Sequence, residues 1–238
     1  MGAKVYFLSF GARTFAGAVK RIKEQALSFD LFNEVFCFEE SDLYKVGEGE
    51  VMQNHKDFIL SNSRGFGYWL WKSYLTYTIM SKIEEDSILV YCDAGCMLNL
   101  KAKDTLIEYI NKTQASQSGI LSFEMEHLEK TWTKMDLFEE LQCYDLLDTR
   151  QLMATCFFIK KNDNTLNLVK KWYELSSTYH LIDDSPSVIQ NDVTFTDHRH
   201  DQSIFSLLRK INGTEIIFDN TYPPGNEKVP IWASRFRT

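Results

Sequence analysis

Four short stretches hold the side chains with the most chemistry in them. His198-Arg199-His200-Asp201-Gln202-Ser203 sets two imidazoles, a guanidinium, a carboxylate and an amide in one run. Asp93-Ala94-Gly95 follows the apolar run from Ser87 to Cys92. A carboxylate at the end of a buried strand is held rigidly enough to meet a ribose hydroxyl or a divalent cation, and small residues after it let a phosphate group approach. The same Asp-x-Gly spacing also suits a plain turn. Arg64-Gly65-Phe66-Gly67-Tyr68-Trp69-Leu70-Trp71-Lys72 joins two glycines and several aromatic faces to a cation at each end. Such a set suits a base or sugar to stack on and a phosphate to neutralise. A packed aromatic core accounts for Trp69 and Leu70 equally well, which leaves Arg64 and Lys72 in need of a role. Ser9-Phe10-Gly11, at the end of the first apolar run, is chemically quieter.

Asp201 has two readings. It opens an amphipathic segment, so it is either a helix cap or first-turn acid, or a catalytic carboxylate. Gln202 beside it favours the second, because an amide at a helix mouth is placed to bind sugar hydroxyls. His198 and His200 project to the same side of an extended segment, flanking Arg199, where they would bind a diphosphate or a metal or serve the fold.

These residues need elements to position them. Lys4 to Phe10 is a short apolar run ending at Gly11, which predicts a buried strand. Thr14 then caps a helix with Phe15, Val19, Ile22, Ala26 and Leu27 on one face. Glu34 to Phe38 predicts a second strand, so the chain opens as a βαβ unit. A polar loop over Glu39 to Asn54 turns at Gly47 and Gly49. The spacing predicts a helix over Tyr68 to Lys82, apolar nearly all round and so central, and a strand over Ser87 to Cys92. Beyond these come a helix marked by Leu106, Ile107 and Ile110, a strand from Gly119 to Phe123, and a short helix at Met135 opened by Thr133 and Asp136 as a capping pair. Thr155 to Lys160 predicts a strand, and Leu166, Val169, Trp172 and Tyr173 line one face of a helix. The last helix starts at Asp201, carries Ile204, Leu207, Leu208 and Ile211 on one side and closes at Gly213, before a strand from Glu215 to Phe218. Strands alternating with helices predict an α/β fold, a mostly parallel sheet covered on both faces. In such sheets ligands bind beyond the carboxyl ends of the strands.

Composition narrows the partners. The 238 residues contain no Pro/Gly/Ser-rich linker, which predicts a single domain over 1–238. A net charge of −7 argues against a nucleic-acid partner held by its phosphate backbone, since that binding needs clustered Lys and Arg. Five cysteines, an odd number, with Cys37, Cys92 and Cys156 in apolar runs, predict free thiols in a reducing, cytoplasmic setting. The start, Met1-Gly2-Ala3-Lys4-Val5-Tyr6, carries no pattern of a signal or lipid anchor, and Phe66 to Met80 is too short and too polar for a transmembrane segment.

The Arg64 to Lys72 string, the Ile88-Leu89-Val90-Tyr91-Cys92-Asp93-Ala94-Gly95-Cys96 strand exit and His198 to Ser203 occur in the order found in small GT-A-fold glycosyltransferases. The chain resembles the type found in bacterial polysaccharide gene clusters and in large algal viruses. The resemblance runs from Lys4 to the Arg235-Phe236-Arg237 tail. It implies a GT-A-like mixed, mostly parallel sheet with helices on both faces, a nucleotide-diphosphosugar donor, of UDP type, and a hydroxyl of a glycan or glycoconjugate as acceptor. It implies that Ser9, Phe10 and Gly11 lie near the base, with Arg64, Tyr68, Lys72 and Ala94 also around the donor. Asp93 stands where these enzymes place the first carboxylate of an Asp-x-Asp metal motif, and Asp201 and Gln202 stand near the reacting sugar, like the Asp-Gln pair of glycogenin-like retaining enzymes.

One position departs from that pattern: Gly95 occupies the place of the second Asp. Two arrangements therefore remain open. Asp93 with another group, such as His198 or His200, holds Mn²⁺ or Mg²⁺, or else cations such as Lys72, Arg199 and Arg235 neutralise the leaving diphosphate. Two other functions share the pattern in part. A sugar-nucleotide nucleotidyltransferase uses the same kind of sheet, and Gly11-Ala12-Arg13-Thr14 resembles its phosphate loop, though with too few glycines. A non-catalytic nucleotide-sugar-binding module would need no second Asp at all.

Overall fold

The structure is a computed structural model, and it describes residues 3–47 and 52–238. Gly49 and the Met1-Gly2 start, both singled out above, lie outside the described residues. The first apolar run forms β1 (Val5–Gly11), which is buried along its whole length. A short 3-10 turn leads into α1 (Ala16–Ser28), and β2 (Glu34–Glu39) pairs parallel to β1. Thr14 sits in that turn and makes no cap bond, and Leu27, placed on the apolar face by its spacing, is 57% exposed. The polar segment after β2 holds α2 (Glu40–Leu43), closed by a Glu39–Asp42 capping box, and α3 (Lys56–Ser61).

The aromatic segment departs most from expectation. Gly65, Phe66, Gly67, Tyr68 and Trp69 all have φ between +52° and +81°, so five consecutive residues sit in the left-handed region, three of them not glycine. Each non-glycine residue there costs on the order of 1–2 kcal/mol. The regular helix, α4 (Leu70–Lys82), begins only after this turn, two residues later than the apolar pattern indicates. Strand β3 (Ile88–Cys92) follows and pairs parallel to β1. The short β4 (Met97–Leu98), α5 (Lys103–Ala115) and the long β5 (Ile120–Leu128) come next. Two small helices, α6 (Glu129–Trp132) and α7 (Met135–Leu141), lead to β6 (Arg150–Leu152) and β7 (Cys156–Lys160). The Thr133–Asp136 cap is not made: the Thr133 hydroxyl donates to Glu129, and the Asp136 carboxylate accepts from the backbone N–H groups of Val188 and Ile189. Helix α8 (Asp163–Ser176), with an Asn162–Thr165 capping box, α9 (Asp201–Asn212), β8 (Glu215–Phe218) and β9 (Ile231–Trp232) complete the chain. Ile211, read onto the buried side of the last helix, is 54% exposed.

The main sheet has seven strands in the order β2-β1-β3-β7-β5-β6, with β8 beside β5. Leu121 and Glu124 of β5 each pair with β8, and on the other side with β7 and β6 in turn. Strands β1, β2, β3, β5 and β8 run one way and β6 and β7 the other, so the sheet is mixed and mostly parallel, as expected. Alternation along β1 sends Tyr6, Leu8 and Phe10 to one face and Val5 and Phe7 to the other. The first face is covered by α4, α8 and α9, and the second by α1 and α5. Strands buried on both faces, whatever their direction, read as continuous apolar runs, which is why β1, β3 and β7 are plain in the sequence. Among the described residues no helix is long and apolar enough to cross a membrane.

Candidate functional site

The parallel strands β1 and β3 end at the same edge of the sheet. Asp93, the residue after β3, is held there by its backbone N–H, which donates to Thr155 O at 2.8 Å. Helix α4 passes beneath and carries Lys72 into the sheet edge. The ammonium of Lys72 lies 3.0 Å from Asp93 Oδ1, 2.9 Å from Asp201 Oδ2 and 3.2 Å from Ala154 O. Asp201 comes from the first turn of α9, so three elements far apart in sequence meet at one cation. The Tyr91 hydroxyl, two residues before Asp93, donates to Asp93 Oδ1 at 2.7 Å.

Burial and charge set the protonation states. Burial alone would strip the proton from Lys72, but Asp201 and then Asp93 outweigh it and hold its pKa above the ordinary value. Burial pushes the Asp201 carboxyl up to about 6, against the pull of Lys72 and with some help from Asp93. The two carboxylates differ in access. Asp93 has 29% of its side chain open to solvent and Asp201 only 5%. Trp172 fixes the start of α9 by donating from Nε1 to Asp201 O at 3.1 Å. The residue before it, His200, has φ 54° and ψ −123°, a sparsely populated conformation of the kind that clusters at functional sites.

The other expected residues divide into those that border the cleft and those used by the fold. Gly11 lines a cavity of about 490 Å³ with Arg13, Ala16, Glu39, Glu40 and Ser41, at the exits of β1 and β2. Ser9 and Phe10 are buried below it, and Phe10 packs on Trp71 at 4.2 Å. Tyr68 is buried, with its ring 4.9 Å from that of His200. Arg64 is not free for a phosphate: it pairs with Asp184 at 2.9 Å and Asp197 at 2.6 Å and ties the 184–197 segment to the left-handed turn. The Gln202 amide is also committed, accepting from Ala154 N at 3.1 Å and donating to Gln151 Oε1 at 2.7 Å. It joins α9 to the entry of β7, and so positions Asp201.

The imidazoles turn inward. His198 Nδ1 accepts from Lys134 N at 3.2 Å and its Nε2–H donates to Leu181 O at 2.9 Å, and burial holds its pKa well below the usual value. His200 Nδ1–H donates to Ile182 O at 2.7 Å, and burial lowers its pKa to about 4. Arg199, between them, lies over the Trp132 ring at 4.0 Å, and Arg235 is exposed on the C-terminal tail. Neither guanidinium has a hydrogen bond or ion pair among the described residues.

The donor set does not fit a divalent cation. The space between Asp93 and Asp201 holds the Lys72 ammonium. At Gly95 an added Cβ would stand 3.1 Å from Arg235 Cα and 3.3 Å from Phe15 Cε1, so the tail fills the place of a second carboxylate. Among the described residues no three His, Cys, Asp or Glu side chains converge as metal ligands. Neither histidine brings a nitrogen to Asp93.

Several members escaped sequence reasoning. Tyr91 fits the apolar strand as plain core, although its position two before Asp93 places both on one face. Glu39 and Glu40 belong to a polar run in the sequence, and only the end of β2 at Glu39 marks them as strand-exit residues. Ala154, Gln151 and Trp172 act through contacts distant in sequence and left no local signal.

No family model matches the chain, and no curated protein matches it. Among solved structures, it is similar to a glycosyltransferase involved in the glycosylation of the major capsid of PBCV-1, at 11% identity and a TM-score of 0.47, covering 96% of this chain and 93% of that one. It is also similar to mouse xyloside xylosyltransferase 1 in its apo form, at 11% identity and a TM-score of 0.47, covering 92% of this chain and 86% of that one. What the site does is read from its own residues.

Proposed function

We propose that this chain is a glycosyltransferase that moves a sugar from a nucleotide-diphosphosugar, of UDP type, to a hydroxyl of a glycan or glycoconjugate. The observation that carries the reading is the Asp93–Lys72–Asp201 cluster at the carboxyl end of β3, with a cavity of about 490 Å³ at the carboxyl ends of the neighbouring strands β1 and β2. Open α/β sheets bind ligands in that crevice, and the cavity is of a size used for small ligands. Glu39 and Glu40 in its wall are acceptors for ribose hydroxyls, and Arg13 is a cation at its rim. Neighbouring strands lie about 5 Å apart, so a nucleoside in this cavity lays its diphosphate toward the Asp93 turn.

Transfer breaks the bond between the anomeric carbon and a phosphate oxygen, and the electron pair leaves with the diphosphate. A new bond forms from the acceptor oxygen, whose proton passes to the departing diphosphate or to the solvent-open Asp93 carboxylate. The sugar becomes cationic in between, and fixed carboxylates stabilise that charge best where water is excluded. Asp93, open to the cleft, receives the sugar hydroxyls. Asp201, close behind it and ionised at neutral pH, supports the developing positive charge. Lys72 holds both carboxylates in place and charged, and Gln202 fixes the start of α9.

The test is calorimetry and nucleoside diphosphate release with a panel of UDP-, GDP- and dTDP-sugars. One donor is expected to bind and to release its diphosphate slowly, faster when acceptor is present. Failure of every donor to bind would sink the reading.

A further inference from the structure

We infer that this chain neutralises the donor diphosphate with its own arginines, Arg199 and Arg235, and takes no divalent metal at Asp93. The inference rests on the function proposed above and adds how its charge is handled. Three observations lead to it. The C-terminal tail is fastened across the turn after β3: Phe236 N donates to Gly95 O at 2.9 Å, and Arg21 donates to Ala94 O at 2.9 Å, Cys96 O at 3.1 Å and the Thr238 carbonyl. The atom that fills the Gly95 side-chain position is thus backbone, 3.1 Å from an added Cβ, and cannot swing aside as a side-chain tip would. The segment packed there carries Arg235.

The second observation is the fate of the remaining ligands. Lys72 stands between Asp93 and Asp201 with a carbonyl as third acceptor, so the two acids already share a cation. His198 spends both ring nitrogens on backbone, and His200 Nε2 lies 3.7 Å from Asp184 rather than toward Asp93. Third, the guanidinium groups of Arg199 and Arg235 make no hydrogen bond or ion pair among the described residues, and the pull of Asp197 on Arg199 is shared with Arg64 and opposed by the repulsion of Arg64 and Arg235. Guanidinium groups without a paired carboxylate of their own are free to meet a dianion, and guanidinium forks match phosphate oxygens in pairs. As the anomeric bond breaks, the electron pair remaining on the diphosphate meets these two forks.

The experiment is titration of the full chain with UDP, GDP and dTDP, once in EDTA and once in Mn²⁺, together with a direct Mn²⁺ titration read by electron paramagnetic resonance. The diphosphate that binds is expected to have an affinity within about twofold in the two conditions, because removing charge-assisted contacts changes affinity far more than that. Arg235→Gln and Arg199→Gln should each weaken it by about tenfold or more, whereas Arg150→Gln, on the β6 edge, should leave it unchanged. Gly95→Asp should lower the melting temperature without creating Mn²⁺ binding. A tenfold gain in affinity with Mn²⁺, or Mn²⁺ binding that Asp93→Asn abolishes, would overturn the inference and leave the proposed function standing. Absence of binding by every nucleoside diphosphate in both conditions would remove the function and the inference together.

Discussion

Helix α9 carries a buried charge cluster at each end, and the two are built differently. At its start, one ammonium serves two carboxylates, one of which opens to the cleft. Two and a half turns on, Glu129 is fully buried and saturated: its oxygens take the Lys210 ammonium at 2.7 Å, the Thr133 hydroxyl at 2.9 Å, the Gln151 amide at 3.2 Å and the Ser206 hydroxyl. Arg209 beside it is buried too, with its guanidinium spent on Ser122 and on the carbonyls of Phe205, Leu152 and Met153. A closed network whose polar atoms are all hydrogen-bonded holds elements together and leaves nothing to offer a ligand. A network with an excess of negative charge and one member in solvent is incomplete by itself, which is the mark of a site. Gln151 touches both clusters through Glu129 and Gln202, so the rigid one braces the working one.

Substitutions that remove one partner from each cluster separate the two roles. The largest effect is expected from Lys72→Met, which leaves two carboxylates facing each other: stability should fall by about 3–5 kcal/mol, and any protein that still folds should lose turnover altogether. Thermal unfolding and donor hydrolysis measure the two losses. Glu129→Gln strands the Lys210 ammonium and should cost about 3–5 kcal/mol in denaturant unfolding while the folded fraction keeps its kcat. Loss of kcat without loss of stability would erase the contrast drawn here.

Asp201 adds a pH signature. Its folded pKa, about 6, lies above the ordinary 3.8, so the folded chain holds a proton that the unfolded chain releases between those values. This group therefore stabilises the fold most below about 3.8, and the benefit disappears as pH rises through about 6. The change is on the order of 1–3 kcal/mol, and Asp201→Asn should flatten that slope. The acid limb of kcat/KM should fall with an apparent pKa near 6 in the wild type. The smallest effect is expected from Arg64→Gln, which breaks two exposed pairs: under about 1 kcal/mol in stability, with nucleoside diphosphate affinity unchanged.

Much of this arrangement was legible in the sequence where the physics is local. Apolar runs mark β1, β3 and β7, periodicity marks α8 and α9, and the same patterns place Asp93 at a strand exit and Asp201 at a helix start. Lys72 stood out because a cation in an apolar helix needs a partner, yet its partners lie 21 and 129 residues away in sequence and no spacing rule reports them. Tyr68 and Trp69 read as the start of the helix because their apolar character fits a buried helix, and only their tertiary fit against His200 shows why the backbone there keeps the left-handed conformation. Arg64 and Gln202 looked like ligand contacts because their chemistry suits that role. Their neighbours in space claim them first.

The central claim is tested most directly by measuring nucleoside diphosphate release from the best-bound nucleotide sugar by the wild type and Asp201→Asn side by side, with donor affinity measured on both. The account predicts that the variant loses about 10²-fold or more in kcat while its donor affinity stays within about twofold. Equal rates in the two proteins at equal donor affinity would contradict it.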